Sequence, residues 1–294
     1  MKYLNRTYKL DFLREGEKSL TWEQTSDAIG LCIEFKTTNT LTKEDNTSEI
    51  KIHNLSPNSI AAIMKGGAII LSCGYAGRNQ IVISGAIASS SVDYSDNKKS
   101  ILNLSISSKL PVKLSKEDEF MTLELGPNAN SNAIVKKIFD YISENFKNIK
   151  IDKQWRIKPI DRRVYKSGIN TFGSCWNLLN TYALDAGYQY YIENSVVYLR
   201  ELEGVNYMPA VEVNETTGLI GYIKQTGEVD ENKEQKIGVE FQTILNPSFT
   251  LSGGVKLSSS KDPSINGEYI VNALSHEGNS HEGNWITSVK ARKQ

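Results

Sequence analysis

The sequence predicts a mainly β protein with an α+β insertion, two β-rich ends flanking a middle module. Three observations predict it. Apolar and polar residues alternate in short runs near both ends, as strands with one buried face require. In the middle, the apolar spacing lengthens to that of helices. The two ends also carry the same turn and strand signals in the same order, the mark of an internal duplication.

In chain order, Leu31 to Lys36 and Ser48 to His53 alternate and read as strands. Asn54-Leu55-Ser56-Pro57 breaks the second, with Pro57 opening a short helix over Asn58 to Met64. Lys65-Gly66-Gly67 stops that helix, because glycine tolerates positive φ. Strands are expected over Ala68 to Gly74, Gln80 to Ser90 and Ser100 to Ser108, the last two joined by a polar tip over Asp93 to Lys99. Ser131 to Phe146 places Ile134, Val135, Ile138, Phe139, Ile142 and Phe146 on one helical stripe, with Asn130 or Ser131 as cap. A second helix is expected over Ser174 to Asp185, stopped by Gly187. Tyr188 to Glu193 and Val196 to Glu201 read as a hairpin about Asn194-Ser195. Three domains follow: residues 1–110, 111–204 and 205–294.

The repeat matches Gly66-Gly67-Ala68-Ile69-Ile70-Leu71 with Gly253-Gly254-Val255-Lys256-Leu257. Proline turns precede both, at Leu55-Ser56-Pro57 and Leu245-Asn246-Pro247. Upstream, Ile33-Glu34-Phe35-Lys36-Thr37 matches Val239-Glu240-Phe241-Gln242-Thr243. Downstream, Gln80 to Ser90 matches Glu268 to Ser275, and Ser100 to Ser108 matches Trp285 to Ala291. Any two β-meanders share composition, but here order and spacing agree as well.

Composition narrows the function. The 294 residues are 39% hydrophobic and 23% charged, a globular balance. Lys+Arg and Asp+Glu both number 34, so the strong basic field of a dedicated nucleic-acid binder is absent. No apolar run reaches the roughly 20 residues that span a bilayer. The N-terminus lacks the apolar core of a signal peptide, so folding in a cytoplasm is expected. Cys32, Cys73 and Cys175 form no CxxC pair and read as small buried hydrophobes.

Candidate chemistry fails on geometry. His276-Glu277 with His281 resembles a zinc-protease helix, but that chemistry needs histidines four apart on a helix and these are one residue too far. The segment from His276 to Asn284 is rich in Gly and Asn and is expected to be a solvated hairpin tip. P-loop, GxGxxG and GxSxG patterns are absent. Glu117-Asp118-Glu119 reads as a loop rather than a glycosidase pair. Arg156-Ile157-Lys158 and Asp161-Arg162-Arg163, near Trp155, read as a charged face or a subunit contact rather than a phosphate-binding patch. No catalytic residue, metal ligand or cofactor is expected.

Three stretches resemble the phage tail hub family, the ring-forming proteins at the junction of tube and spike in contractile tails. The first is Asn46 to Pro57, with Lys65-Gly66-Gly67 and Gly74-Tyr75-Ala76-Gly77. The second is Thr217-Gly218-Leu219-Ile220-Gly221, leading into Gly238-Val239-Glu240-Phe241 and Leu245-Asn246-Pro247-Ser248. The third is Gly267 to Val271, then Ser275-His276-Glu277-Gly278 and Trp285-Ile286-Thr287. The resemblance implies a non-enzymatic structural subunit of the virion tail or baseplate, assembled in the host cytoplasm. It implies two superposable tube-type β-barrels per chain, at residues 1–110 and 205–294, about the α+β module. It implies a homotrimer whose pseudo-sixfold ring joins the tail tube protein to the central spike protein and lines the delivery channel. Implied partners extend to the tape measure protein and DNA in transit, with no membrane-spanning segment. No lysozyme-like or peptidoglycan-binding segment is expected outside the three modules. The competing reading is a β-rich carbohydrate-binding or hydrolytic tail-associated module, suggested by 14 Tyr and 4 Trp.

Overall fold

The computed structural model describes residues 5–14, 17–41, 47–96, 99–107, 120–146, 149–158, 163–194, 196–201, 210–229 and 235–293. The chain forms two compact units, one of Met1–Ser108 with Asn206–Gln294, the other of Lys109–Val205. The protein is mainly β, with three α-helices among the described residues.

In the first unit the early strands are β1 (Arg6–Arg14), β2 (Glu17–Gln24), β3 (Ile33–Thr40) and β4 (Thr47–His53). Helix α1 (Pro57–Ile63) follows, then β5 (Ala68–Tyr75), β6 (Arg78–Asp96) and β7 (Lys99–Ser107). Ser56 caps α1 by accepting the Ser59 N–H, and Pro57 occupies the first turn. β6 runs further than expected. Asp93 to Asp96, read in the sequence as a turn, continue the ladder, with Asp96 opposite Lys99. Polarity there marks an exposed strand, not a turn.

The C-terminal strands are β15 (Val211–Val213), β16 (Leu219–Val229), β17 (Gln235–Ile244), β18 (Gly254–Leu257), β19 (Gly267–Asn279) and β20 (Trp285–Lys293). Both ends share one sheet of thirteen strands, running β16-β17-β20-β19-β3-β4-β7-β6-β5-β1-β2, with β18 on β19 and β15 on β18. Tyr8, Leu10, Phe12, Ile33, Ile50, Ile52, Ile69, Leu71 and Leu104 form a core with Leu245 and Trp285, so side chains from both chain ends fill one interior. At roughly 25 cal/mol per Å² such burial is the main force holding the ends together.

The second unit contains β8 (Phe120–Leu125), β9 (Ala129–Asn130), α2 (Ser131–Asn145), β10 (Lys150–Ile151), β11 (Val164–Tyr165), β12 (Ile169–Ser174), α3 (Cys175–Asp185), β13 (Tyr188–Glu193) and β14 (Val196–Glu201). Asn130 caps α2 by accepting the Ala133 N–H at 3.0 Å. The stripe read from the sequence is buried, from Ile134 to Phe146, against Leu123, Leu179, Val197 and Leu199. Gly187 (φ +78°) ends α3 in the left-handed region. β10, β14 and β13 form one small sheet, β8 and β12 another.

Candidate functional site: a strand joint and two open edges

The two ends repeat one strand order. β3-β4-β7-β6-β5 and β16-β17-β20-β19-β18 are each five neighbours paired antiparallel. Details agree. The Ile87 N–H donates to Gly67 O at 2.9 Å, and the Val271 N–H donates to Gly253 O at 2.9 Å. A bulge follows at both places, between Ile87 and Ser89 and between Val271 and Ala273. These bonds align Gly67 with Gly253, one residue away from the Gly66–Gly253 match read in the sequence. They also put β17 in the place of β4, where the sequence match had paired it with β3. Both strands alternate, so composition does not distinguish them. Neighbours do.

The repeats meet where β19 pairs with β3, from Ala273 opposite Thr40 to Asn279 opposite Glu34. β19 uses one edge twice, first for β18 and then for β3. Beside the joint, Phe35 and Trp285 pack edge to face, ring centroids 5.3 Å apart. Gly278 is opposite both residues and leaves room for their rings. Ser280 is buried and sews the ends together: its N–H donates to Ile33 O at 2.9 Å, and its Oγ accepts the Ile33 N–H at 3.0 Å. Arg6 donates to Asn279 O and Gly283 O, each at 2.7 Å.

His276 belongs to this joint. The expected solvated tip is corrected: β19 continues to Asn279, so His276 is a strand residue, 4% exposed. Burial holds its imidazole neutral, with its pKa pushed down to about 3. Thr287 Oγ1 accepts the Asn246 N–H at 2.9 Å and lies 2.9 Å from His276 Nδ1. The Thr287 proton can go to Nδ1 or to Asn246 O at 3.5 Å, so the hydroxyl pairs with the neutral ring in either tautomer. His281, by contrast, is exposed at the tip, with Nε2 3.1 Å from Gly30 O.

A folded-state pKa below the unfolded one means that stability is present above about pH 6.5 and is lost as pH falls toward 3. The unfolding free energy from urea titrations should therefore drop between pH 7.5 and pH 5 by on the order of 2 kcal/mol more in the native chain than in His276→Gln. Equal pH slopes in the two proteins would refute the buried neutral imidazole.

The remaining candidates are not brought together as a reaction centre. Among the described residues, no group of three His, Cys, Asp or Glu is placed to hold a metal ion. Cys73 and Cys175 are buried, Cys32 half-buried, and none of the three is in a disulfide. Arg156 lies over Trp155, Lys158 pairs with Glu201 at 2.6 Å, and Arg163 pairs with Asp185 at 2.5 Å. Asp161, Arg162 and the Glu117 to Glu119 run fall outside the described residues. No described helix is long and apolar enough to cross a membrane.

Besides the outer edges of β2 and β15, the large sheet leaves two further edges open among the described residues. On β6, β5 covers the edge only up to Ala86, so the edge from Ser89 to Asp96 that faces away from β7 has no neighbour. β16 pairs with β17 alone. Tyr94 (69% exposed) stands on the first edge, Tyr222 (86%) and Ile220 (38%) on the second.

A family model described as baseplate hub gp41 matches residues 114–291. No curated protein matches in sequence. Among solved structures, a tail protein from Neisseria meningitidis MC58 superposes with TM-score 0.60 at 9% identity, covering 98% of this chain and 97% of that one. The 43 kDa tail protein of prophage MuSo2 from Shewanella oneidensis gives 0.59 at 8% identity, covering 98% of each. The E. coli c3393 protein, described as a type VI secretion component structurally similar to T4 tail proteins gp27 and gp5, gives 0.50 at 8%, covering 97% of this chain and 74% of its own.

Proposed function

Because the chain belongs to the baseplate hub gp41 family, we propose that it is a non-enzymatic subunit of a trimeric ring joining tail tube to central spike. The observation that carries this reading is the repeated strand order inside one sheet. A chain that carries two similar β units offers six such units in three copies. A sixfold tube could then rest on a threefold hub, each tube subunit meeting nearly the same surface. The contacts between copies would be heterologous and closed. Residues 1–110 and 205–294 supply the tube-type barrel domains, and 111–204 the module between them.

Tube protein, spike protein, tape measure protein and DNA in transit are the partners of such a ring, and the channel is its lumen. Membership of a baseplate hub family places the chain in the virion tail. The described similarity of the E. coli protein to gp27 and gp5 supports the spike as a partner. Zero net charge suits close packing of copies.

Native mass measurement over a concentration series should show trimer toward the high end, and at lower concentration once spike protein is added. Monomer or dimer alone, even with spike protein present, would overturn the ring and favour a carbohydrate-binding or hydrolytic module.

A further inference from the structure

We propose that the open edge of β6 in one copy pairs antiparallel with the open edge of β16 in the next copy, reproducing between chains the β19–β3 joint seen within the chain. The inference rests on the ring reading and supplies its contact.

The repeat dictates the partners. β6 occupies the place of β19, and β16 the place of β3. Within the chain, the β19-type edge of the C-terminal repeat already meets the β3-type edge of the N-terminal repeat. The β19-type edge of the N-terminal repeat is β6, and the β3-type edge of the C-terminal repeat is β16. Both are open among the described residues, and the other open edges of the sheet, on β2 and β15, lie beyond β5 and β18, away from the joint strands. An open edge presents unpaired backbone donors and acceptors, a template for another strand. A second copy of this chain carries the complementary edge.

The register follows as well. Opposite β20, Ser288 faces Ser275 and Ile286 faces Glu277; opposite β7, Asn103 faces Ser91 and Ile101 faces Asp93. Ser91 therefore takes the place of Ser275, and Asp93 that of Glu277. On the other strand, Lys36 faces Glu49 as Lys224 faces Glu240. Lys224 takes the place of Lys36, and Thr226 that of Thr38. Within the chain, Ser275 is opposite Thr38 and Glu277 is opposite Lys36. Between chains, Ser91 comes opposite Thr226 and Asp93 opposite Lys224. An acidic residue of the β19-type edge meets a basic residue of the β3-type edge in both joints. The exposed Tyr94 and Tyr222 then fall in the same neighbourhood, just past the charged pair.

Opposed residues of an antiparallel pair lie about 4.5–5.5 Å apart at Cα, within the range of a disulfide. In full-length protein carrying Ser91→Cys with Thr226→Cys, mild oxidation at trimer-forming concentration should give a covalent trimer on a non-reducing denaturing gel. Either single substitution should give none. Asp93→Lys sets two cations face to face and should raise the concentration needed for trimer by at least about tenfold, with Asp93→Lys/Lys224→Glu recovering most of it. A native trimer that never cross-links through this pair would overturn the strand joint and leave the ring standing. A chain that stays monomeric under every condition would overturn both.

Discussion

Replacing Arg200 with alanine is expected to destabilise the middle unit by about 3–5 kcal/mol. The guanidinium is 3% exposed, donates to Asp152 Oδ2 at 2.8 Å and to Leu199 O at 2.9 Å, and lies over the Tyr198 ring. Asp152 is itself only 14% exposed, and Glu193 is buried nearby in the same hairpin. Water screens such a pair weakly, so its attraction offsets the cost of taking both charges out of solvent. Removing the cation alone leaves that cost with nothing set against it. Arg200→Met combined with Asp152→Leu removes both charges and should recover most of the loss, because an apolar pair of similar volume needs no desolvation. Urea unfolding of the two single variants and the double checks this. A loss below about 1 kcal/mol for Arg200→Ala would show the pair to be as screened as a surface bridge.

At the joint between the repeats, Gly278→Val should cost roughly 3 kcal/mol, the upper range for overpacking a filled interior. A Cβ on Gly278 would lie 2.6 Å from Phe35 Cε1 and Cζ and 2.6 Å from Trp285 Cε3. Both rings are 4% exposed and hold each other edge to face, so neither has free space to turn into. The substitution should also blue- or red-shift the Trp285 emission, since the indole must move. Gly126→Ala is the control: nothing lies within 4 Å of its added Cβ, and its stability should stay within about 0.5 kcal/mol. Unchanged stability in Gly278→Val would mean that Phe35 and Trp285 relocate at little cost, and that the joint is not held by their packing.

Local elements were legible because local physics makes them. The α2 stripe and its Asn130 cap, the hairpin of Tyr188–Glu193 and Val196–Glu201, and Pro57 in the first turn of α1 each depend on residues a few positions apart. The same local rules misread His276 and Asp93. Both sit in polar, Gly- or Ser-rich surroundings that resemble a turn, yet both are strand residues, one buried on β19 between β3 and β20, the other on an edge. Polarity reports exposure or a paired polar group. It does not report whether the backbone has turned.

By itself, the sequence determined the mainly β class, the helical insertion and the presence of a repeat, since alternation, helical spacing and turn residues all act within one segment. Tertiary structure alone decided which edges meet. Backbone hydrogen bonds join β19 to β3, and their donors and acceptors are the same in every residue except proline. Side-chain patterns therefore say which face of a strand is buried but not which strand lies beside it. The same reason hid the true partner of β17, moved the glycine match by one residue, and left the open edges of β6 and β16 to be seen only in the folded sheet.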